Sequence, residues 1–189
     1  MTLIVILVIV VILVGLVGFA MAGFNKLRKA DIASQEALGG IDVQLTRRAQ
    51  LIPNLVSTVR GYAGHEKEVL TGVTEARARV AAAAQSGSVP EKAAAEAQLE
   101  RSLVNVMAVA ENYPDLKAST NFLELQRELS ETENQLAFAR QYYNDSVNTL
   151  NTLVATVPWM FFSGMAGVRR RDFFEAPGDY EQPPTVDFS

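Results

Sequence analysis

From Leu3 to Ala22 the chain reads LIVILVIVVILVGLVGFAMA, twenty residues without a charge or an amide. At ~1.5 Å rise per residue, a helix of that length spans the ~30 Å hydrocarbon core of a bilayer. Hydrocarbon offers the backbone no water, so a single segment there must be a helix that closes its own hydrogen bonds. A cleaved signal peptide is the competing reading, with Ala20-Met21-Ala22 as the small-x-small site. Such peptides open on Lys or Arg and carry an apolar region of about 7–15 residues. Here no basic side chain precedes a longer run, so the expectation is a retained anchor over residues 1–23. Lys26, Arg28 and Lys29 follow directly, with Arg47 and Arg48 further on. That excess of cations predicts a single-pass protein of the inner or plasma membrane with its body on the cytoplasmic side.

Composition removes several kinds of chemistry from the body. With no cysteine there is no disulfide, Fe–S cluster or thiol nucleophile, and one histidine excludes a multi-His metal centre. A net charge of −4 and a pI near 5.1 argue against a nucleic-acid partner, which calls for a basic face.

The apolar pattern then changes to a step of three and four. Leu38, Ile41, Leu45, Arg48, Ile52, Leu55, Val59, Tyr62, Glu66, Val69, Val73, Ala76 and Val80 follow it, a coiled-coil-like helical stripe with Arg48 and Glu66 as its polar members. Pro53 removes a backbone donor from this stripe, so the helix is expected to kink or to turn there. Gly87 suits a helix stop, and Ser88-x-x-Glu91 with Pro90 a new start. A second stretch, about 89–112, is alanine-rich and ends at Pro114. A third, about 120–157, repeats the stripe through Phe122, Leu129, Thr132, Leu136, Tyr143, Ser146 and Leu150. The expected fold is all-α: an N-terminal transmembrane helix, then an elongated antiparallel bundle of four helical segments over 24–157. Residues 158–189 form a separate tail, first apolar and basic (PWMFFSGMAGV, then Arg169, Arg170, Arg171), then extended around Pro177, Pro183 and Pro184.

Two groups of residues are candidates for function. Arg48, Glu66, Thr132 and Ser146 fall on the stripe where apolar side chains belong. They form either a polar pocket or a paired layer that fixes register, with Glu66, Glu131 and Glu133 as partners for Arg48. If Arg48 pairs with a buried carboxylate, Arg48→Met is expected to be tolerated far better than deletion of that partner, because the stranded charge carries the cost. Trp159, Phe161 and Phe162 followed by Arg169, Arg170 and Arg171 fit a segment lying on an anionic leaflet, or else a cap on the bundle end. A carboxylate-bridged metal pair would need Glu-x-x-His on two helices. His65 stands alone with Tyr62 at that spacing, and is read as a solvated helix residue. No cofactor and no metal site is expected.

Ile41–Ala78 (IDVQLTRRAQLIPNLVSTVRGYAGHEKEVLTGVTEARA) and Ala110–Asp145 (AENYPDLKASTNFLELQRELSETENQLAFARQYYND) resemble the signature blocks of the LemA family, and FFEA and PPTVDF are similar to its C-terminal end. The resemblance implies a single-pass bacterial membrane protein with a helical-bundle body, no established enzymatic activity and a link to membrane organisation. The chain departs from the family pattern at Ala37–Gly40 and at Val168–Asp172. The combined expectation is a non-enzymatic, membrane-anchored scaffold that self-associates or presents its bundle to envelope proteins. An accessory or regulatory subunit of a membrane protease or stress-response system is the alternative. The partners expected are membrane lipid, further copies of the chain and other envelope proteins.

Overall fold

The computed structural model describes residues 1–86 and 88–175. The expected stop at Gly87 and the proline-containing end from Pro177 onward lie outside the described residues. Those described form α1 (Thr2–Tyr62), α2 (Lys67–Ser86), α3 (Val89–Ala110), α4 (Pro114–Lys117), α5 (Thr120–Ala155) and α6 (Met160–Ala166), with no strand among them. The protein is all-α. Two units divide the described residues: Met1–Leu38 with Tyr142–Asp172, and Gly39–Gln141 with residues 173–175.

The second unit is a four-helix bundle whose directions follow from its cross-helix bonds. Lys92 Nζ of α3 donates to the Ala84 carbonyl of α2 (3.2 Å), and Arg79 of α2 to Gln98 of α3. Numbers rise on one helix as they fall on the other, so this pair is antiparallel. Gln126 Nε2 meets Met107 Sδ at 3.3 Å and Arg140 meets Glu96 at 3.5 Å, which sets α5 antiparallel to α3. Asp42 pairs with Lys92 and Arg48 with Glu96, which sets α1 parallel to α3. Up-down-up-down order results. Ile41, Leu45, Ile52, Leu55, Val73, Leu99, Val106 and Leu136 have almost no exposure, so the period-3.5 stripes face one another.

Pro53 neither breaks nor reverses the chain: α1 runs on to Tyr62 with the proline inside it. Pro53 leaves the Ala49 carbonyl without its usual i+4 donor, and Arg77 Nε of α2 donates to that oxygen at 3.1 Å. The reversal comes at Ala63–Glu66, between Gly61 and the start of α2, where two glycines in four residues weaken the helix. The stripe slips by one around this turn and regains its expected phase at Val73, Ala76 and Val80. Ala63 and Leu70 are buried, while Tyr62 is exposed and Val69 only half-buried. His65 is exposed in the turn, not on a helix. Ser88 is the extended N-cap of α3 with Pro90 in the first turn, but its side chain makes no capping bond. Val147 takes the core position on α5, with Ser146 half-buried beside it.

In the first unit the apolar run of α1 has no protein cover among the described residues except near its end, at Phe19. Large apolar side chains from Leu3 to Met21 are 45–79% exposed. One window of α1 is long and apolar enough to cross a membrane. Further along, Leu27 is buried with Leu150, Leu153, Ala166 and Val168.

Candidate functional site

The second unit holds a buried ionic layer. Arg48, its side chain 4% exposed, projects from α1 between α3 and α5. Its Nη1 donates to Glu96 Oε1 at 3.3 Å and lies 2.7 Å from Glu133 Oε2, while Nη2 pairs with Glu100. Arg140 of α5 closes the ring, with Nη2 donating to Glu133 Oε1 at 2.7 Å and Nη1 3.5 Å from Glu96 Oε2. Helical spacing builds the layer: Glu96 and Glu100 are one turn apart on α3, and Glu133 and Arg140 two turns apart on α5. Burial pushes the Glu96 carboxyl up, against the pull of Arg140; Glu133 adds to the rise, Arg48 opposes it and Glu100 adds again. Two guanidiniums face three carboxylates, so a Glu96 that holds its proton more readily brings the layer toward charge balance. One carboxylate oxygen from each of Glu96, Glu100 and Glu133 lies within 4.8 Å of the others, a spacing a metal ion could use. Arg48 already fills that position with its own charge. Beside it α3 and α5 leave an open cleft of about 380 Å³ lined by Leu103, Met107, Leu129 and Glu133.

Of the carboxylates expected around Arg48, Glu133 is present and two are elsewhere. Glu66 accepts a hydrogen bond from the Tyr113 hydroxyl at 3.3 Å, and Glu131 accepts one from Gln135 on its own exposed face. Thr132 is buried, but its hydroxyl donates back to the Glu128 carbonyl at 2.8 Å. Sequence reasoning missed Glu96, Glu100 and Arg140. The signal was there in part: Glu96 and Glu100 flank Leu99 on the Ala-rich stretch, on the side that turns toward Arg48.

The first unit seats the tail segment on α1 at the end of its apolar run. Val157-Pro158, a cis bond, leads from α5 into α6. Trp159 stacks on Phe19 (ring centroids 5.8 Å apart) and lies under Lys26, whose ammonium is 4.3 Å from the ring centroid. Phe162 meets Phe19 edge-on at 5.7 Å and rests on Gly23, where an added Cβ would stand 2.6 Å from the ring. Only glycine admits so close an approach there. α6 ends on Gly167 at φ +64°, with Val168 N–H returning to the Ser163 carbonyl at 3.0 Å, a Schellman closure. Beyond it Arg171 donates through Nε and Nη2 to Asp31 Oδ1 (3.0 and 2.8 Å), and Asn151 grips the Arg171 backbone on both sides. Tyr143, its hydroxyl donating to the Asp172 carbonyl at 2.8 Å, is raised above the usual phenol range mainly by burial.

The six residues expected at the membrane surface are thus sorted by the structure. Trp159, Phe162 and Arg171 are held within the unit, whereas Phe161, Arg169 and Arg170 are exposed.

A family model described as the LemA family matches residues 37–188. The chain belongs to the LemA family.

Among curated relatives, this LemA-family chain is 22% identical over 165 residues to magnetosome protein MamQ 2 of Paramagnetospirillum magneticum, covering 75% of this chain and 61% of that protein. Magnetosome protein MamQ of Magnetospirillum gryphiswaldense is 21% identical over 164 residues, covering 75% and 60%. Protein LemA of Metamycoplasma hominis is 25% identical over 132 residues, covering 70% and 59%. The chain therefore spans about three-fifths of the length of the curated relatives it matches. The family match takes in the ionic layer and α6 but begins at Ala37, so Phe19, Gly23, Lys26 and Asp31 fall before it.

Proposed function

We propose that this LemA-family protein is a membrane-anchored, non-enzymatic helical scaffold, with its body on the cytoplasmic side, that self-associates or presents its bundle to envelope partners. The observation that carries this reading is α1 itself: one uninterrupted helix holds the uncovered apolar run and supplies Ile41, Leu45 and Ile52 to the bundle core. The anchor and the first run of core residues thus belong to one continuous segment of chain, so the bundle stays covalently tethered close to the bilayer. The buried charges support the same reading, because they are paired with each other across α1, α3 and α5 in a way that fixes register. The names of the relatives denote no enzyme.

Self-association has a candidate face on the second unit. Arg47 Nη1 donates to Gln135 Oε1 at 3.3 Å, aligning α1 with α5 on the exposed side. Val43, one turn back on α1, and Phe138, one turn on along α5, therefore stand side by side, 62% and 73% exposed. Anchoring copies in one plane raises their effective concentration, so a small apolar contact suffices. Full-length protein in mild detergent is expected to sediment as an oligomer, and Val43→Ser with Phe138→Ser to lower its mass. A monomer at every concentration would overturn the scaffold and leave the accessory-subunit reading.

A further inference from the structure

We infer that α6 is an interfacial membrane helix whose outer face, Met160, Phe161 and Met165, sits in the headgroup–acyl boundary of the leaflet from which the anchor emerges. This rests on the anchor reading of α1 and goes beyond it, because a span alone leaves α6 in water.

Three observations within the first unit fix the occupant of that face as lipid. First, α6 is two-sided. Trp159 at its N-cap, Phe162 and Ala166, spaced three and four apart, turn toward α1, while Phe161 and Met165, four apart, are 71% and 67% exposed and Met160 is 41% exposed. Second, the depth of α6 is set by what it touches. Phe19 belongs to the last turn of the uncharged run, and Gly23 and Lys26 follow within two turns. A helix clamped to those residues lies where the anchor leaves hydrocarbon, and its exposed apolar face continues the uncovered apolar surface of residues 3–21. Third, charge follows the same order. Lys29, Arg169 and Arg170 are exposed in this unit just past the apolar contacts, where anionic headgroups lie, whereas Arg171 is turned to Asp31. Aromatic and apolar side chains at the headgroup level with cations beyond them are the pattern of a segment lying in the interface plane.

The absence of cysteine makes the test direct. Single variants Phe161→Cys, Met165→Cys, Val8→Cys and Glu36→Cys of the full chain are spin-labelled and reconstituted into phosphatidylethanolamine–phosphatidylglycerol vesicles. Collision rates with oxygen, which concentrates in lipid, and with a water-soluble nickel complex are then compared. Val8 reports the middle of the anchor, and Glu36, about 15 Å along α1 from Lys26, reports water. The expected result is an oxygen-to-nickel ratio at 161 and 165 that lies between those two references, shifted clearly toward Val8. Ratios at 161 and 165 equal to that of Glu36, with Val8 in lipid, overturn the interfacial helix and leave the anchor standing. Labels at 161 and 165 shielded from both reagents mean that protein covers the face, which also overturns it. A Val8 label as water-exposed as Glu36 removes the anchor itself.

Discussion

Arg48 reaches three carboxylates, and that stoichiometry decides what its loss does. A one-to-one pair would make the carboxylate the costlier partner to remove. Here Glu96→Gln still leaves Arg48 between Glu100 and Glu133, whereas Arg48→Met leaves Glu96, 4% exposed, with Arg140 alone at 3.5 Å. Arg48→Met should therefore destabilise by about 3–5 kcal/mol, Glu96→Gln by clearly less, and Arg48→Met with Glu96→Leu should recover most of the loss in thermal unfolding. The pH dependence has a definite sign. Glu96 is raised in the folded state, so the folded protein binds the extra proton between the unfolded and folded values. Its contribution is most favourable below the ordinary carboxylate range and is lost as pH rises through the folded value. Melting temperatures of the wild type should accordingly fall relative to Glu96→Gln as pH rises from about 4. A constant difference between the two curves would show Glu96 to be unperturbed. Arg48 was legible in the sequence as a polar residue on an apolar stripe. Its partners were less so, because a stripe marks which face is buried but not which turn of a distant helix lies opposite.

At the level of the helix, Pro53 shows how tertiary contact overrides a local signal. The proline leaves an orphan carbonyl in α1, and a kink or a turn there is what the sequence alone suggests. Instead Arg77 from α2 donates to Ala49 O, and the helix continues for nine residues more. Removing the donor should leave a buried acceptor unsatisfied, at a cost of about 1–3 kcal/mol. Arg77→Met should thus destabilise the wild type but cost much less in a Pro53→Ala background, where the amide of residue 53 can take the bond itself. Equal costs in both backgrounds, measured as a double-mutant cycle, would falsify the assignment of Arg77 as the substitute donor. The all-α class, the starts of α3 and α5 and the long apolar N-terminal helix were all readable, because each rests on periodicity, composition or a stop-and-start signal within one segment. The turn at Ala63–Glu66 was not, since its glycines lie inside an apparently unbroken stripe and only the one-residue shift to Ala63 and Leu70 betrays it.

For the molecule as a whole, the orientation proposed for the body rests on the number of cations that follow the apolar run. Lys26, Arg28 and Lys29 supply them in sequence, and acidic neighbours such as Asp31 count for little in setting orientation. Lys26 has a second task, since its ammonium caps the Trp159 ring. A triple change to Glu therefore alters orientation and local packing together, and a control has to separate them. Lys26→Ala removes the cation–π contact, worth about 0.5–1 kcal/mol at an exposed site, yet leaves Arg28 and Lys29 in place. Protease added outside intact cells should spare the body of the wild type and of Lys26→Ala, but digest a measurable share of Lys26→Glu/Arg28→Glu/Lys29→Glu. Digestion of the wild-type body would reverse the orientation proposed for it. The same cells test retention of the anchor, because cleavage after Ala22 would part Phe19 from Trp159 and Phe162. The membrane-bound protein should accordingly keep residues 1–22 when its intact mass is measured, and a mass that begins at Gly23 would turn the anchor into a leader.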